Sequence, residues 1–367
     1  MNNINSIIEG INPQRKFLVD VNGTVYSVAD YLKYYYEGMK LQMEKKHVPS
    51  IYQKPLGIQF ELTYRCNQRC IHCYNQSGMD NNDKEGLTTE EWKSLARQAG
   101  ELELFQCVIS GGEPTVLGDD LFEIMDILDS YDMRFVFITN GMLLDEEKVR
   151  KLSKYKYSWL QVSIDGSRPE LHDAVRGVKS FEKAIRAANL VKEAGIPLVI
   201  AHSVMKINQD YLSEMLDLSY LLGAVKVITG PFSYMGRAVL NSDKISLTEE
   251  EIQKVYDICD EKAVEYSGRM QIAVAGEDVT GLRVKLAEPN GVLLIRPNGD
   301  VKFDCVSPFK IGNVRENTLE QLWRERGRFV NSNERLMDYI TQIKSSQDLL
   351  HVKPRVNVDP DELLIFS

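Results

Sequence analysis

The sequence predicts an α/β protein built on a parallel sheet with crossover helices. From residue 58 to about 230 short β-rich runs alternate with helical patterns, the order in which parallel strands and their crossovers read. Six such runs can be counted, and 367 residues are enough to bury one large core. A catalytic barrel of more than about 200 residues, with smaller additions at both ends, is therefore expected.

Taken in order, residues 17–21, an Asn22-Gly23 turn and residues 24–28 predict a hairpin, because Asn-Gly suits the left-handed backbone of a two-residue turn. A helix is expected from about Ala29, and its tyrosine-rich run Asp30-Tyr31-Leu32-Lys33-Tyr34-Tyr35-Tyr36 is read as packing against the barrel. The six strands are placed at 57–63, 104–110, 134–139, 158–165, 197–205 and 224–229. Between them, segments such as 89–102, 121–131 and 181–194 repeat apolar residues three and four positions apart, the period of a helix with one buried face. Gly195 stops the last of these ahead of strand five. After residue 240 the pattern becomes α+β, with a helix over 248–266 and a hairpin turning at Pro297-Asn298-Gly299-Asp300 between 292–296 and 301–304. An amphipathic helix begins near Thr318, and residues 358–363 read as a surface tail. The expected division is 1–56, 57–240 and 241–367.

The net charge is −9 and the charges are scattered, which excludes the basic stripe of a nucleic-acid surface. Charged residues interrupt every apolar run before the roughly 18 residues a membrane-spanning helix needs. Met1-Asn2-Asn3-Ile4-Asn5 offers neither a basic start nor a long apolar region, so no secretory signal is expected and the cytoplasm is the expected location.

Three of the six cysteines fall within Cys66-Asn67-Gln68-Arg69-Cys70-Ile71-His72-Cys73, and a reducing compartment keeps thiols free for metal or catalysis. Three thiolates at these spacings can turn around one compact metal centre. A cubane cluster normally takes four cysteines, so three leave one iron open, and open coordination is where metal chemistry occurs. The amino and carboxylate groups of S-adenosylmethionine could chelate that iron. An electron from the cluster would then break the sulfonium C–S bond and release a 5′-deoxyadenosyl radical. The alternatives are a zinc site completed by His72, or cysteines without metal; structural zinc usually draws on paired cysteine knuckles, which this sequence lacks.

Leu62-Thr63-Tyr64, a strand end, stands just ahead of Cys66, which puts the triplet in a loop above the barrel mouth, where α/β barrels keep their active sites. Cys66, Cys70 and Cys73, with the aromatic His72 before the last cysteine, resemble the signature of the radical S-adenosylmethionine superfamily. The resemblance implies a partial (β/α)6 barrel of the radical SAM type, one [4Fe-4S] cluster on the three cysteines, and His72 lying against the adenine.

Further motifs extend it. Strand two ends in Ser110-Gly111-Gly112-Glu113-Pro114, where two glycines let the backbone approach a ligand and a carboxylate stands ready for an ammonium group. This resembles the family's GGE motif, which implies that Gly111, Gly112 and Glu113 hold the methionine amino group. Strand four sends Gln161, Ser163 and Asp165 to one face. The resemblance continues through Ser163 and His172-Asp173-Ala174-Val175-Arg176-Gly177 to positions that contact the ribose and carboxylate of the cofactor. The planar fork of Arg176 suits a carboxylate; the other reading is a surface ion pair. Thr139-Asn140-Gly141 resembles a cofactor-side turn, with Asn140 in it. On strand one Glu61 shares a face with Gln59 and Thr63; it faces substrate or pairs with a neighbouring Lys or Arg. His202 on strand five is similarly ambiguous.

Residues 294–301, Cys305, 311–314 and 319–323 resemble the SPASM/twitch extension of family enzymes, which often modify peptides or proteins. Such extensions usually carry extra cysteines, but residues 288–293 contain none and none follows Cys305. A lone thiol cannot hold an auxiliary cubane, so one cluster is expected, with the extension kept as a lid or docking surface. Cys305 is then a hydrogen donor to a substrate radical, an inert remnant, or an ordinary buried thiol. Cys107 and Cys259 read as packing residues.

The expected function is a radical SAM maturase acting on a ribosomally made peptide by crosslinking, epimerisation or oxidation, reduced by a donor such as ferredoxin or flavodoxin. The alternatives are a radical enzyme acting on a small molecule, a sugar or amino acid, and a noncatalytic metal-binding or redox-sensing protein. The last leaves Glu113, Ser163 and Arg176 unexplained.

Overall fold

The computed structural model describes residues 16–19, 25–27, 52–78, 86–274, 290–343, 345–352 and 362–365. The expected hairpin is present as β1 (Lys16–Val19) paired antiparallel with β2 (Val25–Ser27). The tyrosine-rich helix expected after it lies outside the described residues.

Six parallel strands follow one another across the main sheet in chain order: β3 (Gly57–Glu61), β4 (Gln106–Ser110), β5 (Arg134–Thr139), β6 (Tyr157–Ser163), β7 (Leu198–Val204) and β8 (Lys226–Pro231). These are the six runs the sequence marks. Between them lie α1 (Thr89–Glu101), α2 (Asp119–Ser130), α3 (Glu146–Leu152), α4 (Pro169–Arg176), α5 (Phe181–Glu193) and α6 (Leu212–Leu221). Alternation along each strand explains the layering. Ile58, Phe60, Cys107, Ile109, Phe135, Phe137, Leu160 and Val162 are fully buried, and Phe60 meets Trp92 of α1 at 5.0 Å between ring centroids. The other face carries Gln59, Val108, Ile138, Gln161, Ser163, Ala201, Ser203 and Ile228, which stay half-buried. Helix α1 starts cleanly because Thr88 and Glu91 form a reciprocal capping box.

The sheet continues past these six strands at both edges. Beyond β8 lies β9 (Gln271–Val274), parallel and not expected from the sequence. Beyond β3 lies β10 (Val292–Ile295), parallel to it, followed by β11 (Asp300–Lys302) and β13 (Gly312–Asn313), both antiparallel. The hairpin expected at Pro297-Asn298-Gly299-Asp300 thus extends the catalytic sheet itself, next to the strand that feeds the cysteine loop. Among the described residues β9 and β13 are the sheet's two ends, so it is an open mixed sheet with a parallel centre.

Short helices α7 (Arg237–Leu240) and α8 (Ser242–Ile245) precede α9 (Glu249–Glu265), whose cap is Thr248. Helix α10 (Leu319–Glu325) is capped by Thr318 and docks on the core: Trp323 Nε1 donates to the Tyr52 carbonyl at 3.1 Å, and Leu319 N to Gln98 Oε1 at 3.0 Å. A further helix, α11 (Glu334–Gln342), was not expected. The expected surface tail is corrected in its described part. Glu362–Leu363 form β14, paired parallel with β12 (Phe309–Lys310), and Leu364 is buried. The physical reason is backbone pairing, Glu362 N to the Pro308 carbonyl at 2.8 Å and Leu364 N to that of Lys310 at 2.9 Å, with the Leu364 side chain buried while Leu363 and Ile365 stay exposed.

Candidate active site

Residues 62–78, after β3, form the cysteine loop at the carboxyl ends of the strands. Three neighbours hold its backbone. From β4, Gly112 N donates to the Thr63 carbonyl at 2.6 Å and Glu113 N to the Arg65 carbonyl at 2.9 Å. A β-carbon on Gly112 would lie 2.2 Å from the Arg65 carbonyl oxygen, and one on Gly111, at φ +127°, 2.8 Å from that of Thr63. The close approach these glycines permit is therefore to the loop's own backbone. From α4, the carbonyls of Arg176 and Val175 accept from Arg69 N and Ile71 N, both at 3.0 Å. The third neighbour, which sequence reasoning missed, is the segment after β8. Arg237 Nε donates to the Cys70 carbonyl and Nη2 to the Ser77 carbonyl, both at 2.8 Å, and Asn241 Nδ2 donates to the Ile71 carbonyl at 3.0 Å. Only the pattern Met235-Gly236-Arg237, directly after a strand, hinted at it.

Glu113 is fully buried. Its Oε1 accepts from Thr115 N at 3.2 Å, Thr115 Oγ1 at 2.6 Å and Thr139 Oγ1 at 2.8 Å, and its Oε2 from Asn140 N at 2.7 Å. Burial raises its pKa despite these donors. Oε2 keeps capacity for a further donor. Asn140 then ties β5 to the loop, donating from Nδ2 to Asn67 Oδ1 at 2.7 Å, with Cys66 Sγ at 3.7 Å.

At the end of β6 Asp165 is fully buried and gathers four partners. Arg176 Nε lies 2.7 Å from Oδ2, His72 Nε2 3.7 Å from Oδ2, and His202 Nδ1 3.9 Å from Oδ1. Ser203 N donates to Oδ1 at 2.8 Å. Burial alone would raise this carboxyl; Arg176, with the histidines and the Ser203 amide, holds it down to about 2. Arg176 is thus in a buried ion pair, with Nη1 3.7 Å from Cys70 Sγ and 3.5 Å from Gln68 Oε1. Burial lowers His72 to about 4, so the ring is neutral at pH 7. Ser163 stands half-buried on the open face of the sheet below.

Glu61 is fully buried at the end of β3. Tyr74 Oη donates to its Oε1 at 2.8 Å, and Arg296, just after β10, lies 3.3 Å from Oε2. Arg296 is thus the neighbouring arginine with which Glu61 pairs. Arg296 also lies over the Tyr64 ring at 5.3 Å. Cys305 is half-buried in the extension and lies near Tyr74. Cys107 and Cys259 are buried packing residues.

The donor set fits a thiolate-bound cluster with an organic cofactor beside it. Burial pushes the thiol of Cys66 up to about 12 and that of Cys70 to about 11, and a coordinated iron is what would draw both to thiolate. His72 Nε2 lies 3.7 Å from Asp165 Oδ2, and among the described residues no three His, Cys, Asp or Glu side chains are gathered for a single ion; a cubane asks its ligands to stand further apart. Two buried polar atoms in the loop, His72 Nδ1 and Gln68 Nε2, lack a hydrogen-bond partner, the condition a bound ligand relieves. No helix of the described residues is long and apolar enough to cross a membrane.

The sequence model described as "Radical SAM superfamily" matches residues 60–219. Mycofactocin maturase MftC of Mycolicibacterium smegmatis is 31% identical over 279 residues, covering 74% of this chain and 70% of that protein. PqqA peptide cyclase of Granulibacter bethesdensis is 28% identical over 282 residues, covering 75% of each. Among solved structures, Streptococcus suis SuiB bound to S-adenosylmethionine superposes with a TM-score of 0.65 at 18% identity, over 89% of this chain and 82% of that one; this is a likeness of fold. With the cysteine loop at the carboxyl end of the first of six parallel strands, and this identity sustained over two thirds of a curated relative, the chain belongs to the radical SAM superfamily.

Proposed function

We propose that this enzyme is a maturase that modifies a ribosomally made peptide, with Cys66, Cys70 and Cys73 as the ligands of its [4Fe-4S] cluster. When bound, the cluster and S-adenosylmethionine supply the radical that abstracts hydrogen from substrate. The chain's own residues do the rest. Glu113, fixed by four donors, would hold the methionine amino group beside the glycine-rich turn. Arg176, aligned by Asp165, would bind the methionine carboxylate, and Ser163 would meet the ribose. His72, neutral and 3.7 Å from Asp165, would lie against the adenine. The half-buried face of the sheet, with Gln161, Ala201, Ser203 and Ile228, receives the substrate side chain.

The observation that carries the peptide reading is the identity to MftC, sustained across 74% of this chain and therefore beyond the radical SAM segment into the extension. Hydrogen bonding of β10 to β3 supports it, because it sets the extension beside the cluster loop. Reduction by a ferredoxin- or flavodoxin-like donor, and a Cys305 hydrogen donor at the extension's edge, belong to the same reading. The test is anaerobic incubation of the reconstituted enzyme with S-adenosylmethionine, dithionite and the product of a short peptide gene beside its own. A mass change in the peptide, matched by 5′-deoxyadenosine, is expected. An unmodified peptide alongside a modified sugar or amino acid from the same extract would overturn the peptide reading.

A further inference from the structure

We propose that Arg237 is a positioning residue for the cluster. It acts through the cysteine loop and not on substrate, and the proposal rests on the reading of Cys66, Cys70 and Cys73 as cluster ligands. Its guanidinium bridges two carbonyls at opposite ends of the loop's tight part, Cys70 and Ser77. Its backbone N donates to a third, that of Cys73, at 3.0 Å. One residue therefore holds the carbonyls of two of the three cysteines. Because an arginine fork presents its donors in a fixed plane, it sets the spacing of residues 70 and 77 as well as their attachment.

Two neighbours make this a built clamp. Gly236 sits at φ +54°, and a β-carbon there would fall 2.3 Å from the Tyr74 carbonyl oxygen and 2.5 Å from that of Cys73, so only glycine lets the segment lie this close. Asn241 closes the far side, donating from Nδ2 to the Ile71 carbonyl and to the Arg237 carbonyl at 2.9 Å. The clamp follows directly from β8, whose Ile228 lies on the half-buried face of the sheet. The chain leaving that strand thus reaches the cluster loop through Arg237, at the start of α7. Arg237 also adds a second positive charge beside Cys70, in addition to Arg176. Cations near a cluster favour its reduced, more negative state.

The test compares wild type with Arg237→Gln, Arg237→Lys and Asn241→Ala in two states of the full chain. In the apoprotein, hydrogen exchange of the peptide spanning residues 64–78 should rise about tenfold or more in Arg237→Gln, and less in Asn241→Ala, with exchange in β5 and α5 unchanged. After reconstitution, the midpoint potential of the cluster should fall in Arg237→Gln. In Arg237→Lys it should stay close to wild type although loop exchange rises, because lysine keeps the charge and loses the two-point bridge. Wild-type exchange in both Arg237 variants would overturn the proposal, as would an unchanged potential in Arg237→Gln. Failure of the wild type itself to take up iron would overturn the ligand reading on which the proposal rests, whereas unchanged apoprotein exchange in the Arg237 variants, with a wild type that does take up iron, would sink the clamp alone. Should Arg237→Gln fail to fold, Asn241→Ala, which removes only the outer contact, still decides the exchange arm.

Discussion

Asp165 meets Arg176, His72, His202 and the Ser203 amide, so changing its charge without its shape separates the ion pair from the packing. Asp165→Asn leaves Arg176 buried without its counter-charge, and breaking such pairs costs on the order of 3–5 kcal/mol. Urea unfolding of the apoprotein should show a loss of that order, together with weaker S-adenosylmethionine binding; an unchanged midpoint would contradict the hub. Glu113→Gln places an amide NH2 where Oε1 or Oε2 now accepts hydrogen bonds. A donor facing a donor in a buried site costs roughly 1–3 kcal/mol, and the variant should lose cofactor affinity in equilibrium dialysis because the ammonium loses its carboxylate. At this scale the cysteines, Glu113 and Arg176 were legible because short motifs carry them. Arg237, Asn241 and Arg296 were not, because each reaches the loop from more than 150 residues away in sequence, and no local spacing encodes such a contact.

The elements meet at the edge between β3 and β10, where Arg296 enters beside Glu61 and the aromatic flanks of the cysteine loop, Tyr64 and Tyr74. Arg296→Met should therefore weaken the core as well as the extension, by about 3 kcal/mol or more, since the buried Glu61 would lose its ion-pair partner and keep only the Tyr74 hydroxyl. The double variant Glu61→Gln/Arg296→Met should recover most of that loss, because it removes both charges together. Additive effects in denaturant unfolding would mean that the two side chains do not act as a pair. The six central strands and their helices were legible from period alone, since strands buried on one face by helices and half-open on the other write that asymmetry into their alternation. Strand β9 and helix α11 were not expected, and β14 was taken for a tail. These are short pieces whose conformation is set by the partner they pair with and not by their own pattern.

For the molecule as a whole, His172 is fully buried against Ser180 and Phe181, and burial lowers it to about 4. Between that value and an unfolded value of about 6.5 the unfolded chain binds more protons than the folded one. Stability contributed by keeping this ring neutral is present above about pH 6.5 and is lost as pH falls toward 4, by up to about 1.4 kcal/mol per pH unit. The melting temperature of the apoprotein should drop over that window, and the drop should be smaller in His172→Gln; equal slopes would contradict it. The whole chain should hold about four irons, since the extension offers only Cys305 besides Cys259, which is buried in α9, and about eight would reveal a second cluster. The most direct test of the account is 5′-deoxyadenosine formation by the anaerobically reconstituted chain with dithionite and S-adenosylmethionine. The account predicts product from wild type and none when Cys66, Cys70 or Cys73 is replaced by alanine; no product from wild type carrying about four irons would contradict it.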